Sequence, residues 1–134
     1  MFYEFVLAVP ANTAKAAPAE LEVPLDAGAV VGVSVQFPRG CRGEVQVAIF
    51  RSNHQVWPGD PDTYISGDDA IVPWVEDYDL DDVPYSFLLR GWSPTTRFAH
   101  NITFRFNLLP LDTARAQRGA GGLLARVARM LGVR

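Results

Sequence analysis

The densest run of chemistry-bearing side chains is Glu76-Asp77-Tyr78-Asp79-Leu80-Asp81-Asp82. Carboxylates at 77, 79 and 81 repeat the opening spacing of a calcium loop, in which alternate residues offer hard oxygen ligands to one ion. The EF-hand pattern then fails. Asp82 stands where the sharp turn needs glycine, and Leu88 where the closing glutamate belongs. A looser site would have to add Asp68 or Asp69. The segment 76–82 is therefore read as a solvated acidic loop, and no metal ligand is assigned.

Nucleophilic catalysis finds no better footing. Ser52 and His54 lie two apart on an extended segment, so they point the same way rather than at each other. No nucleophile-elbow glycine pattern surrounds a serine. His100 falls on the apolar face of a strand and reads as a hydrogen-bonded core or interface residue. The single cysteine, Cys41, excludes an internal disulfide and any multi-cysteine metal site. Between Arg39-Gly40 and Arg42-Gly43 a lowered thiol pKa is conceivable, but the residue reads as an incidental member of a turn. Gly119-Ala120-Gly121-Gly122 lacks both a leading strand and a following Lys-Ser/Thr, so it is no phosphate loop. Asn101-Ile102-Thr103 matches a glycosylation sequon only formally. Catalytic residues, cofactors and metals are all expected to be none, and the chain is expected not to be an enzyme.

Tyr64, Trp74, Tyr78 and Trp92 flank turns, where an aromatic platform can hold a sugar ring or a partner side chain. The competing reading is that they cover the open ends of a core. A platform of Trp74, Trp92 and Tyr78 carries the alternative function, a carbohydrate- or surface-binding module.

These residues need a scaffold, and the periodicity is that of strands. In 97–109, Phe98, His100, Ile102, Phe104, Phe106 and Leu108 alternate with Arg97, Ala99, Asn101, Thr103, Arg105, Asn107 and Leu109. That period of two sets one face in a core, with all the even positions from Phe98 to Leu108 expected buried. In 29–37 the inward residues are expected to be Val31, Val33, Val35 and Phe37, opposite Val30, Gly32, Ser34 and Gln36. In 44–51 they are Val45, Val47 and Ile49. The run 85–92 is apolar on both faces, as in a covered or interfacial strand, and Tyr3, Phe5, Leu7 and Val9 share a face of a first edge strand. The segment 10–24 reads as an irregular crossing, and 70–75 as a short strand ended by Pro73-Trp74. Seven or eight short strands with turn signals between them predict an all-β, antiparallel sandwich or jelly-roll-like domain.

The chain has 134 residues, 49% of them hydrophobic and 20% charged, with eight Phe, four Tyr and three Trp. That suits one ordinary domain and its core. Residues 1–110 carry a balance of −7 and residues 111–134 one of +4, giving the net −3. An acidic body is poorly suited to gripping nucleic acid, whereas a basic tail suits an acidic neighbour. After a Gly-rich linker at 113–122, residues 123–132 read as a short basic amphipathic helix, with 1–112 as the sandwich. Leu123, Leu124, Val127, Met130 and Leu131 form one face and Arg126 and Arg129 the other, and these seven are the candidate partner-binding residues. Such a short helix holds only by packing on something. The apolar run at 2–9 contains Glu4, follows no basic region and is too short for a signal core or a span, so synthesis in a cytoplasm is expected.

A set of short motifs also resembles a known family. Val33-Ser34-Val35-Gln36-Phe37-Pro38-Arg39-Gly40 ends a strand in Pro-x-Gly, and 43–50 supplies a second strand. Gln55-Val56-Trp57-Pro58, the pair Gly67-Asp68, the strand 84–92 and His100-Asn101-Ile102 follow. Over 1–110 this order is similar to small β-sandwich structural proteins of tailed bacteriophages and prophages, including capsid decoration and adaptor-like proteins. The resemblance implies a jelly-roll-like fold, no cofactor, and a virion component contacting copies of itself or a shell protein; neither nucleic acid nor a membrane is expected as a partner. The basic tail is not part of it.

Overall fold

A computed structural model describes residues 1–118. Nine strands run in the order β1 Phe2–Val9, β2 Ala19–Pro24, β3 Gly28–Phe37, β4 Gln46–Arg51, β5 His54–Trp57, β6 Ile65–Ser66, β7 Ala70–Leu80, β8 Ser86–Trp92 and β9 His100–Leu109. Residues 111–118 form a helix, α1. Every pairing is antiparallel, in two sheets ordered β1-β9-β3-β7 and β2-β8-β4-β5, with β6 sharing the outer edge of β4. The partners nest: β1 with β9, β2 with β8, β3 with β7, β4 with β5 and β6. This is one long hairpin folded across two layers, which is the jelly roll. The expected all-β sandwich is therefore the fold.

The layers meet through alternate side chains. Ile102, Phe104, Phe106 and Leu108 of β9 are buried, as are Phe87 and Leu89 of β8 and Val47 and Ile49 of β4. Phe87 and Phe106 stack across the layers with centroids 5.3 Å apart. Gly91 lets the backbone of β8 come close to β1, because a Cβ there would lie 2.7 Å from Val9 Cγ2.

Four features differ from the sequence reading. Phe98 is 75% exposed, because β9 begins at His100 and residue 98 belongs to the loop before it; His100 is only half-buried. In β3 a register shift between Val30 and Gly32 reverses the pleat, so Val30 is buried and Val31 is not. The expected irregular crossing contains β2, an edge strand whose weak signal reflects a single well-buried residue, Val23. And β7 runs straight through Pro73 to Leu80, taking most of the supposed acidic loop into an edge strand, where a proline costs least.

Residues 113–118, expected as linker, are helical. Ala114 is buried, and its N–H donates to Pro110 O at 2.9 Å. Arg118 closes the helix onto β7 through Asp77 at 3.0 Å and through Asp79. The proposed partner helix, with Leu123, Leu124, Arg126, Val127, Arg129, Met130 and Leu131, lies outside the described residues.

Candidate functional site

Edge strand β7 distributes the acidic run between two faces, because neighbours on a strand point oppositely. Glu76 turns inward and accepts from Trp57 Nε1 at 2.7 Å. Asp77 and Asp79 both serve Arg118, which holds the Asp79 carboxyl below the usual carboxylate range. Asp82, just past the strand, meets Arg51 at 2.9 Å. Apart from Asp81, the acidic side chains are thus fold contacts, and no group of three metal-ligating side chains occurs among the described residues.

The remaining candidates are also dispersed. Ser52 and Asn53 form the two-residue turn between β4 and β5, with φ of 50° and 64°. His54 opens β5 as an exposed residue, and no hydrogen bond joins it to Ser52. Cys41 is fully buried, and that burial, with the charge of Asp68 second, pushes its thiol pKa up. It is an apolar plug, neither reactive nor incidental. The aromatics form two separate groups. Trp74 and Tyr78 pack edge-on against Trp57, at 6.2 and 5.3 Å. Trp92 lies in the other sheet, against Tyr64 at 4.7 Å, with Nε1 donating to Gln46 and Lys15 capping the Tyr64 ring. No common platform of Trp74, Trp92 and Tyr78 exists. The buried Trp74 Nε1 has no hydrogen-bond partner among the described residues.

The sequence motifs prove to be staples. Buried Gln55, the start of the Gln-x-x-Pro motif, donates through Nε2 to Pro58 O, Asp60 O and Thr63 O at 2.9, 3.2 and 2.9 Å, holding the loop after β5. Asp68, of the Gly-Asp pair, accepts the N–H groups of Gly40 and Arg42 at 2.9 and 3.0 Å. Those amides hold its carboxyl below the usual range. Gly40, of the Pro-x-Gly motif, has φ of 103°, where a side chain is strained. Neither side-chain role was read from the sequence, because each spans a loop between strands.

What the molecule presents outward is surface. The strand register places three rows across the outer face of the β1-β9-β3-β7 sheet: Phe2, Asn107, Gly32, Val75; Glu4, Arg105, Ser34, Pro73; and Val6, Thr103, Gln36, Ile71. The apolar residues stand on the two edge strands, with Val75 89% and Phe2 60% exposed. A groove of about 490 Å³ runs between them over Gly32 and Ser34. The other sheet is better covered: Arg90 lies over the Phe50 ring at 4.3 Å and pairs with Glu20.

Comparisons with known proteins show only distant likeness. No family model matches the sequence, and no curated protein matches it. Among solved structures, a chain of tomato aspermy virus is 12% identical with a TM-score of 0.42, over 81% of this chain and 79% of that one. A chain of Bacillus endospore appendages, described as disulfide-linked pili, is 10% identical with a TM-score of 0.36, over 81% and 88%. A family two carbohydrate esterase from Cellvibrio japonicus is 15% identical with a TM-score of 0.33, over 83% of this chain and 36% of its own. Strand order, rather than these likenesses, defines the fold. Among the described residues no helix is long and apolar enough to cross a membrane.

Proposed function

We propose that the chain is a non-enzymatic structural protein of a virion, a capsid decoration protein or similar particle component, which contacts copies of itself or a shell protein. The observation that carries this reading is the outer face of the β1-β9-β3-β7 sheet. Phe2, Val6, Ile71 and Val75 are all exposed there, on the two edge strands of one sheet face. Apolar side chains gathered on one face mark an interaction surface more often than scattered ones do. The jelly-roll order agrees with the architecture that the sequence motifs imply, and Gln55, Asp68, Asp77 and Asp79 make contacts that hold the fold.

Sedimentation velocity and negative-stain electron microscopy of the full chain, over a range of concentrations, test it. Ordered oligomers are expected. Replacing Phe2 and Val75 by Ser is expected to reduce them without lowering the melting temperature, since both residues are exposed. A chain that stays monomeric at every concentration, and joins no particle, would exclude the reading.

A further inference from the structure

The strands of the sandwich are long enough to hold its two ends roughly 30 Å apart, at about 3.3 Å per residue. At one end lie the loops 38–45 and 93–99. At the other lie the loop 81–85 and the turn between β4 and β5. These ends differ in lining and in shape, and hydrogen bonds tie the loops of each.

The groove at the first end takes most of its charged lining from arginines, with the exposed carboxylates of Asp68 and Asp69 on the neighbouring loop. Arg39, Arg42 and Arg97 line one open groove of about 810 Å³, beside Glu44, Phe98 and His100. Arg51, Arg90, Arg105 and Arg118 each meet a carboxylate, whereas the three groove arginines meet none among the described residues. Asp68 pins the backbone of Gly40 and Arg42, with Cys41 buried between them. On the other wall buried Thr96 donates to Ser93 O at 3.1 Å, and Ser93 Oγ donates to Pro10 O. Arg42 has φ of 53°, a conformation in which glycine would be less strained. Phe98 stands 75% exposed between these fixed walls.

The second end is acidic and carries a hollow. Tyr78, Asp82, Val83 and Pro84 line about 200 Å³ floored by Arg51. Arg51 fixes the loop by donating to Asp82 O at 2.7 Å, to Pro84 O and to Tyr78 Oη. The Asp82 side chain stays 79% exposed despite that pairing. Asp81 is exposed and in no ion pair among the described residues, and Val83 is 76% exposed.

We infer that copies of this chain associate head to tail. Phe98 of one copy seats in the hollow beside Val83 and Pro84 of the next, and Arg39, Arg42 and Arg97 face Asp81 and Asp82. An exposed aromatic with arginines beside it is what interface centres are enriched in, and the hollow opposite offers Val83, Pro84 and Tyr78 with Asp82 at its side. Because the two patches are different surfaces, the contact is heterologous and propagates into a ring or a filament. The inference rests on the self-association read above, but it specifies the contact.

The test uses two double variants of the full chain. One carries Arg97→Glu and Phe98→Ser, and the other Asp81→Lys and Val83→Ser. All four residues are exposed, so both variants are expected to melt like the parent chain. In sedimentation velocity at low salt, the parent forms concentration-dependent oligomers. Each variant alone weakens association about tenfold or more. An equimolar mixture regains association between unlike partners, one such contact per pair, because one good patch survives on each partner. A chain carrying Arg97→Glu with Asp81→Lys regains association through the swapped charges. If each variant alone associates like the parent, the contact lies elsewhere, and the head-to-tail inference fails while self-association stands. If the mixture stays monomeric although the parent oligomerises, the two patches do not meet and the inference fails. A parent that never oligomerises overturns both.

Discussion

Phe104 lies at the middle of β9 with none of its surface exposed, opposite Phe5 on β1 and Val35 on β3. Its replacement by Ala removes an aromatic ring from a fully buried core position. The expected loss is about 3–5 kcal/mol, read as a lower urea midpoint at unchanged slope. A loss below about 1 kcal/mol would mean that the ring is not a core residue. Its inward direction was legible from alternation alone, since Ile102, Phe104, Phe106 and Leu108 share one face of a pleat. Phe98 obeys the same alternation and is nevertheless outside. Parity gives a face only where the chain is a strand, and nothing local in Arg97-Phe98-Ala99 announces that pairing begins at His100. Gln55 and Asp68 were illegible for a different reason: their acceptors and donors are backbone groups of loops that the fold brings near.

Elements were legible in proportion to how strongly they are buried on one face only. Strand β9 stood out, while β2 was lost because Glu20, Leu21 and Glu22 are exposed and only Val23 signals a core. Strand β7 was shortened because Pro73 and a run of carboxylates both argue against a central strand, and an edge strand satisfies both. Two predictions belong at this scale. Calcium or EDTA is expected to leave the melting temperature unchanged, since β7 points Glu76 away from Asp77 and Arg118 already occupies Asp77 and Asp79. A rise of several degrees with calcium would make ligands of these carboxylates. The second concerns the loop clamp. Asp68 has a depressed folded-state pKa because the amides of Arg42 and Gly40 bind its charged form. Its contribution is therefore present above the unfolded-state value, about pH 4, and is lost as pH falls through the lower folded-state value. Asp68→Asn is expected to melt lower than the parent at pH 7. It is also expected to lose less on going to pH 3, which a series of thermal melts would show. Parallel acid limbs for the two proteins would remove Asp68 from the account.

At the scale of the whole molecule, the nested pairing of β1 with β9 and β2 with β8 joins residues up to about a hundred positions apart. No local pattern encodes such partners, so strand count and class could be read from sequence but strand order could not. The boundary between body and tail is a further case. Composition placed it at 112, yet α1 belongs to the body, since Ala114 is buried and Arg118 binds Asp77 and Asp79 on β7. Two truncations separate the roles. Removing 119–134 is expected to leave thermal stability nearly unchanged while weakening assembly, if the Leu124, Val127 and Leu131 face docks on another subunit. Burial of such a face contributes about 1.5–3 kcal/mol per aliphatic side chain before ordering costs, enough to matter when many copies act together. Removing 111–134 is expected to lower the melting temperature by a few degrees as well, roughly what 1 kcal/mol does in a domain of this size. It uncovers the surface beneath Ala114 and leaves Asp77 and Asp79 side by side on an edge strand without their cation. If the shorter deletion alone unfolds the domain, residues 119–134 belong to the core of their own chain, and docking on a neighbour is excluded.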